Sequence, residues 1–212
     1  MKRTLFILLA LCISFGATAQ TDQQAKATLD KISAFLQKSA ITTDFYIIYE
    51  NAQTNESEKK AGKLKLKGNK FTLSTEELEL FFDGKTQWTL IKNLDEVTIS
   101  EPTKEEMLQL NPILMINEFG KTHHVQFDAD SEKDKQHYLL NLFPKENKFD
   151  HFKVAIVVQK ETKQVKKISI KYKNGTSTTF TSSNFNSEAK LTDIDFMFDS
   201  KKYLNIEIND LR

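Results

Sequence analysis

The stretch FFDGKTQWTLIKNLDEVTISEP, from Phe81 to Pro102, reads as strand, turn, strand, turn, strand. Asp83-Gly84 signals a hairpin because both residue types tolerate positive φ, and Asn93-Leu94-Asp95 marks a second reversal before Val97 and Ile99. Trp88 and Leu90 share one face of the middle strand, so their expected work is to pack against something apolar.

The same pattern extends in both directions. Upstream, Phe45, Ile47 and Tyr49 fall on one face of a strand and Tyr46 and Ile48 on the other. Leu64 and Leu66 then alternate with Lys63, Lys65 and Lys67, Gly68-Asn69 supplies a turn, and Phe71 and Leu73 resume the alternation. Downstream, alternation returns over Tyr138 to Phe143, Phe152 to Val158 and Val165 to Tyr172, and Asn174-Gly175 turns the chain into Thr178 and Phe180. Phe196, Phe198 and the pair Ile206 and Ile208 continue the series, while residues 51–60 and 127–135 read as polar surface connections. Repeated hairpins without regular intervening helices predict one large antiparallel sheet rather than a doubly wound fold.

Two helical segments break this rhythm. Asp22 to Lys38 places Leu29, Ile32 and Leu36, with neighbouring Phe35, on one stripe, and predicts a helix packed across the sheet. Between Glu101 and Gly120, Thr103 and Glu106 have capping-box spacing, and Asn111-Pro112 repeats a helix start with a cap residue followed by an N1 proline. The two short helices expected there carry Met107, Leu108, Leu110, Ile113, Leu114, Met115, Ile116 and Phe119. Such apolar helices amid solvated hairpins predict a plug or lid over the sheet.

Lys2 and Arg3, the apolar run Leu5 to Phe15 and the small residues Ala17-Thr18-Ala19 form the pattern of a secretory signal peptide, with Gln20 as the new N-terminus. The run is too short for a membrane span of about 20 residues. Cys12 lies inside it behind bulky Leu11, a poor setting for lipoprotein cleavage, and residues 20–212 contain no other cysteine. Disulfides and thiolate chemistry are thereby excluded from the exported part. Removing 19 residues from 212 leaves 193, suited to a single domain. The leader holds two of the 30 basic residues and none of the 29 acidic ones, so the remaining balance of 28 to 29 does not suggest a nucleic-acid binder.

Catalytic signals are weak. HExxH, GxSxG, phosphate-loop and dinucleotide motifs are absent from the sequence. His123 and His124 are adjacent, so in a strand they face opposite ways and make no two-ligand metal site. His137 and His151 are isolated, and a turn accounts fully for Asp83. No catalytic residues, cofactor or metal are therefore assigned. The 16 phenylalanines instead point to a packed core, with some rings free to line a cavity if the sheet curls.

Three segments carry a family resemblance: Gly62-Lys-Leu-Lys-Leu-Lys-Gly-Asn-Lys-Phe71, Asp83-Gly-Lys-Thr-Gln-Trp88 and Asn93-Leu-Asp-Glu-Val-Thr-Ile99. With Asn111-Pro-Ile-Leu114, Phe196-Met-Phe198 and Asp210-Leu-Arg212, they resemble, in order, the LolA-like periplasmic carriers of outer-membrane lipoproteins. The resemblance implies a half-open antiparallel β-barrel covered by an N-terminal helix and a short helical lid. It further implies a periplasmic, non-catalytic carrier, expected as a monomer, that shields lipoprotein acyl chains in a hydrophobic cavity. Its implied partners are acylated lipoproteins, the inner-membrane ATP-driven exporter that releases them and an acceptor at the outer membrane.

On that resemblance and the strand faces, the expected cavity residues are Phe45, Ile47, Tyr49, Leu64, Leu66, Phe71, Leu73, Trp88, Leu90, Phe180, Phe196 and Phe198. The expected lid residues are Met107, Leu110, Ile113, Leu114, Met115 and Phe119. One position departs from the family: where well-studied members have an arginine that bonds lid carbonyls, this chain has Gly68, with Lys67 and Lys70 as candidate substitutes. Burying ten acyl methylenes yields roughly 8 kcal/mol, so reversible carriage requires an opposing term. A lid that packs into the empty cavity and yields to cargo would supply it. The alternatives are a carrier of other lipids on the same fold or a non-catalytic envelope interaction protein. A continuous cavity of roughly 300 Å³ or more would favour carriage, whereas a filled interior would favour the interaction protein.

Overall fold

Helical periodicity opens the described chain. The computed structural model describes residues 22–203 and 206–212, so the expected leader, residues 1–19, lies outside them. Residues 22–38 form α1, burying Ala25, Leu29, Ile32 and Leu36, while Phe35 stays 36% exposed at the edge of the stripe. Six strands follow: β1 (Ala40–Asn51), β2 (Glu56–Lys67), β3 (Lys70–Thr75), β4 (Leu78–Phe82), β5 (Gln87–Ile91) and β6 (Glu96–Ser100). The helices α2 (Lys104–Leu110) and α3 (Pro112–Thr122) then lead directly into β7 (His123–Phe127). The chain continues through β8 (His137–Pro144), β9 (His151–Gln159), β10 (Val165–Tyr172), β11 (Thr176–Asn186) and β12 (Glu207–Asp210).

All twelve strands form one sheet in the order β12-β6-β5-β4-β3-β2-β1-β11-β10-β9-β8-β7. The order does not close on itself, leaving a half-open barrel with the helices over its inner face. Neighbouring strands are antiparallel except for β12, which runs parallel to β6. This pairing modifies the expectation of an entirely antiparallel sheet.

Local chemistry differs from expectation at three places. Residues 51–60 are largely strand, because β1 and β2 continue pairing out to Asn51 and Glu56 and leave only residues 52–55 to turn. The β4–β5 connection spans residues 83–86: Asp83 Oδ1 accepts from the amides of Lys85 and Thr86 at 2.9 and 2.8 Å. Only Gly84 in that connection takes a positive φ, 106°. Phe196 belongs to a 3-10 turn, Asp193–Phe196, and Phe198 follows it, so neither continues a strand.

Cross-strand pairing separates the two faces of the sheet. Ile41 and Thr43 face Leu66 and Leu64, Leu66 faces Phe71, and Phe71 faces Phe82, defining one continuous inner surface. On the other arm, Phe180, Ile168, Ile156 and Leu140 continue it across β11 to β8. Gly62 permits this packing: a Cβ there would lie 2.3 Å from the Ser74 carbonyl oxygen and about 3.0 Å from the Phe45 ring.

Candidate functional site: the inner face and its helical cover

The inner face is apolar and occupied by helix. Met107, Ile113, Ile116 and Phe119 are buried in the same core as Leu64, Leu66, Phe71 and Ile156, and Leu110, Leu114 and Met115 pack half-buried against it. A cavity of about 30 Å³ remains, bounded by Leu36, Ile41, Leu64, Leu66, Ile116 and Phe180, among others. That volume is about the share of one water molecule in the liquid. The interior therefore falls far below the volume expected of an open acyl pocket, because α2 and α3 occupy the space.

The cavity wall offers no free polar group from its hydroxyls. Thr43 Oγ1 donates to the Ser183 carbonyl at 2.7 Å, and Ser182 Oγ donates to Val165 O at 2.6 Å while accepting from Gln164 Nε2 at 2.9 Å. Both side chains line the cavity, but their hydrogen-bonding capacity faces the backbone. Such a surface recognises bulk and apolarity rather than a polar pattern.

The helical cover is built as two short pieces with a buried joint. Thr103 and Glu106 form the capping box: Glu106 N donates to Thr103 Oγ1 at 3.3 Å and Thr103 N donates to Glu106 Oε2 at 2.7 Å. The amide and hydroxyl of Thr103 hold the Glu106 carboxyl below its ordinary pKa. Asn111, fully buried, ends α2 and caps α3, its Oδ1 accepting from Ile113 N at 3.0 Å and Leu114 N at 3.3 Å. Lys104 and Glu118 tie the two helices together at 3.2 Å.

Among the described residues, the β2–β3 turn meets the cover at one weak bond, from Asn111 Nδ2 to Asn69 O at 3.5 Å. Gly68 has φ +63°, so an arginine at this position would be strained. Neither candidate substitute reaches the cover: Lys67 donates to Leu191 O at 2.9 Å, and Lys70 pairs with Asp193 at 2.7 Å. Both lysines bind the C-terminal segment instead.

The expected cavity residues divide between faces. Phe45, Leu64, Leu66 and Phe71 are buried on the inner face, with Ile47, Leu73 and Phe180 half-buried beside them. Phe45 and Phe180 stack with centroids 5.8 Å apart. Tyr49 shares that face but is 42% exposed near the end of the β1–β2 hairpin, opposite Glu58. Trp88 and Leu90 lie on the outer face, because their partners are Phe81 and Glu79 whereas Phe82 and Leu80 face inward.

Phe196 and Phe198 also belong to the outer side. Thr72, on that face of β3, donates to Asp195 O at 2.6 Å, Lys65 pairs with Asp195 at 2.9 Å, and Phe198 packs edgewise on Phe81 at 6.0 Å. The C-terminal segment is thus a strap behind the sheet. The Thr192 amide, followed by Lys65, pulls Asp195 down to about 2. Sequence reasoning also omitted Leu140, Leu142, Val154, Ile156 and Ile168 from the inner wall, although their alternation was visible.

A buried histidine pair adjoins the end of α3. His123 and His151 place their Nε2 atoms 2.8 Å apart in near-parallel rings, against Phe119, Phe149 and, on the His151 side, Tyr172. Thr122 Oγ1 donates to Glu118 O at 2.8 Å, so its lone pair is left to accept from His123 Nδ1 at 2.9 Å. His123 Nε2 then accepts from His151. Burial pushes both histidines below their ordinary pKa; for His123, to about 4, the positive charge of His151 and Lys145 adds to it. His124 points to the other face and is exposed. Among the described residues, no cluster of three or more histidine, cysteine or acidic side chains is arranged around a metal position.

A family model described as outer membrane lipoprotein carrier protein LolA matches residues 15–179. An uncharacterized conserved protein from Thermus thermophilus is similar in fold, with TM-score 0.52 and 9% identity over 88% of this chain and 99% of that one. A LolA superfamily protein from Nitrosomonas europaea has TM-score 0.46 and 12% identity over 80% of this chain and 97% of that one. No curated protein matches the sequence.

Proposed function

We propose, on the premise that the chain belongs to the LolA outer membrane lipoprotein carrier family, that it shields lipoprotein acyl chains between an inner-membrane exporter and an outer-membrane acceptor. Members of this family are periplasmic, non-catalytic carriers, and the chain has their hydrophobic-ligand carrier fold. The observation that carries the finer reading is what fills the inner face: Met107, Ile113, Ile116 and Phe119 come from a separate helical insert rather than from the sheet. An insert joined to the sheet at its two ends can move out without unpairing strands.

The magnitudes support exchange. Burying each of four such side chains contributes about 1.5–3 kcal/mol, or on the order of 6–12 kcal/mol together. Ten acyl methylenes contribute roughly 8 kcal/mol in the same place. The two occupants are comparable, so cargo replaces the helices without being trapped. A polar lock on the cover would favour release on a specific signal, but among the described residues one 3.5 Å amide bond joins it to the β2–β3 turn. That weak link favours a second reading, carriage of other lipids on the same fold.

Mass spectrometry of material that co-purifies from the native periplasm separates the readings, using Phe180→Asp on the inner face and Trp88→Thr on the outer. Acylated lipoproteins are expected with the wild type and Trp88→Thr and absent from folded Phe180→Asp. Phospholipids alone would favour the second reading. Failure of the wild type to bind either native cargo or a purified acylated peptide would reject carriage.

A further inference from the structure

The strap covers the outer face over β2 to β4 before β12 pairs with the edge of β6, and the outer face of β7 to β11 lies beyond it. Pairing places Lys153, Lys167 and Lys171 on this second region. Lys153 and Lys171 are direct cross-strand partners, an arrangement that like-charge repulsion disfavours in the isolated sheet. The strands β7 to β11 carry no aspartate or glutamate of their own, but two carboxylates reach the face from outside them: Asp128 Oδ2 accepts from Asn141 Nδ2 at 2.8 Å, with Lys153 close enough to act on its charge, and Glu50 accepts from Ser177 Oγ at 3.1 Å. Three lysines against these two carboxylates leave the face basic, with Lys167 and Lys171 on β10.

An apolar anchor lies at the margin of these lysines. The β9–β10 register shifts between Lys171 and Tyr172, which pair with Lys153 and His151 and leave Phe152 as the extra residue. The bulge brings His151 to the buried pair, while Phe152 is 49% exposed. At the nearby edge, Lys145 and Lys173 donate to the carbonyls of Lys121 and Asn147, neutral acceptors, and the Lys173 amide donates to the carbonyl of Asp150. An exposed aromatic beside a lysine-rich face matches the chemistry of an anionic bilayer surface, where the ring enters the headgroup layer and the ammonium groups meet lipid phosphates.

We propose that the outer face of β7 to β11, with Phe152 at its margin, docks the protein onto an anionic phospholipid membrane. The opposite side, where α2 and α3 cover the inner face, points away from the membrane in this pose, leaving the two helices free to move toward a protein partner. This inference concerns the membrane surface and stands whether or not lipoproteins prove to be the cargo.

Co-sedimentation of the purified protein with vesicles tests it without cargo. Binding is expected to phosphatidylglycerol-containing vesicles and not to pure phosphatidylcholine, and it should weaken as salt is raised. Neutralising Lys153 and Lys171 together to Gln should lower the affinity about 25-fold, from roughly fivefold per lysine, and Phe152→Ser should lower it further. The charge-matched control Lys201→Gln with Lys202→Gln, within the strap, should bind as wild type. No binding, equal binding to neutral vesicles, unchanged affinity in the patch variant or an equal loss in the control would overturn the proposal.

Discussion

At the scale of single residues, the His123–His151 contact makes folding depend on protons. Both rings have folded pKa values below the unfolded value of about 6.5, with His123 near 4. Between those values the unfolded chain binds more protons, so stability is fully present above the unfolded pKa and declines as pH falls toward 4. Surrounding charges modulate this response: Lys145 and Lys173 disfavour protonation and Asp150 favours it. The hydrogen-bond order adds direction, because His151 can take a proton on Nδ1 and still donate to His123, whereas protonating His123 Nε2 destroys their bond. Urea midpoints measured from pH 7.5 to 4.5 should fall more steeply for wild type than for His123→Gln. Parallel slopes would show that the pair does not control the acid response. The pair itself was not legible in the sequence, because 27 residues separate the two histidines and only the bulge at Phe152 turns His151 inward.

Elements were more legible than the faces they present. The α1 stripe, the capping box at Thr103 and the Asn111-Pro112 start are local signals, and α2 and α3 begin where theirs lie. Gly62 shows how local geometry supports the sheet: its missing Cβ lets the Ser74 carbonyl and the Phe45 ring approach β2. Gly62→Ala should therefore cost about 1–3 kcal/mol, measured by chemical denaturation, despite alanine's better strand entropy. A stability equal to wild type would mean that β2 and β3 separate without loss. Facing is harder to read because side-chain parity passes through every turn. Residues 76–77 and 83–86 are even-length connections, so odd Phe71 pairs with even Phe82 and then with odd Gln87 as the inward residue. Trp88 consequently faces out. Asp83-Gly84 announces a reversal without fixing which residues pair around it, and hydrophobicity misleads here because the distant strap covers the outer surface. The strap depends on Lys65–Asp195 and Thr72–Asp195, contacts across 130 and 123 positions that no local pattern specifies.

Across the whole molecule, the closed interior and the carrier reading become compatible if the helical cover and the cargo compete for one surface. Ile116 tests this competition because it is 1% exposed, belongs to the cover and borders the remaining cavity. Ile116→Ala removes contacts from the closed state but none from the sheet wall that cargo would occupy. Its unliganded stability should fall by about 2–5 kcal/mol if the cover unfolds with the rest of the domain. Relief of the competing term should at the same time tighten apparent binding of an acyl ligand, since less energy is lost when the cover leaves. Hydrogen exchange should locate the change in residues 104–122, with protection falling there on ligand addition while β1, β2 and β9 remain protected. Calorimetry with a fluorescent or isotopically labelled acyl ligand would report the affinity directly. A variant that is less stable and also binds more weakly would make the cover part of the ligand-bound wall rather than its competitor. Separating these outcomes requires both measurements, because cavity formation alone predicts the stability loss while only competition predicts tighter binding.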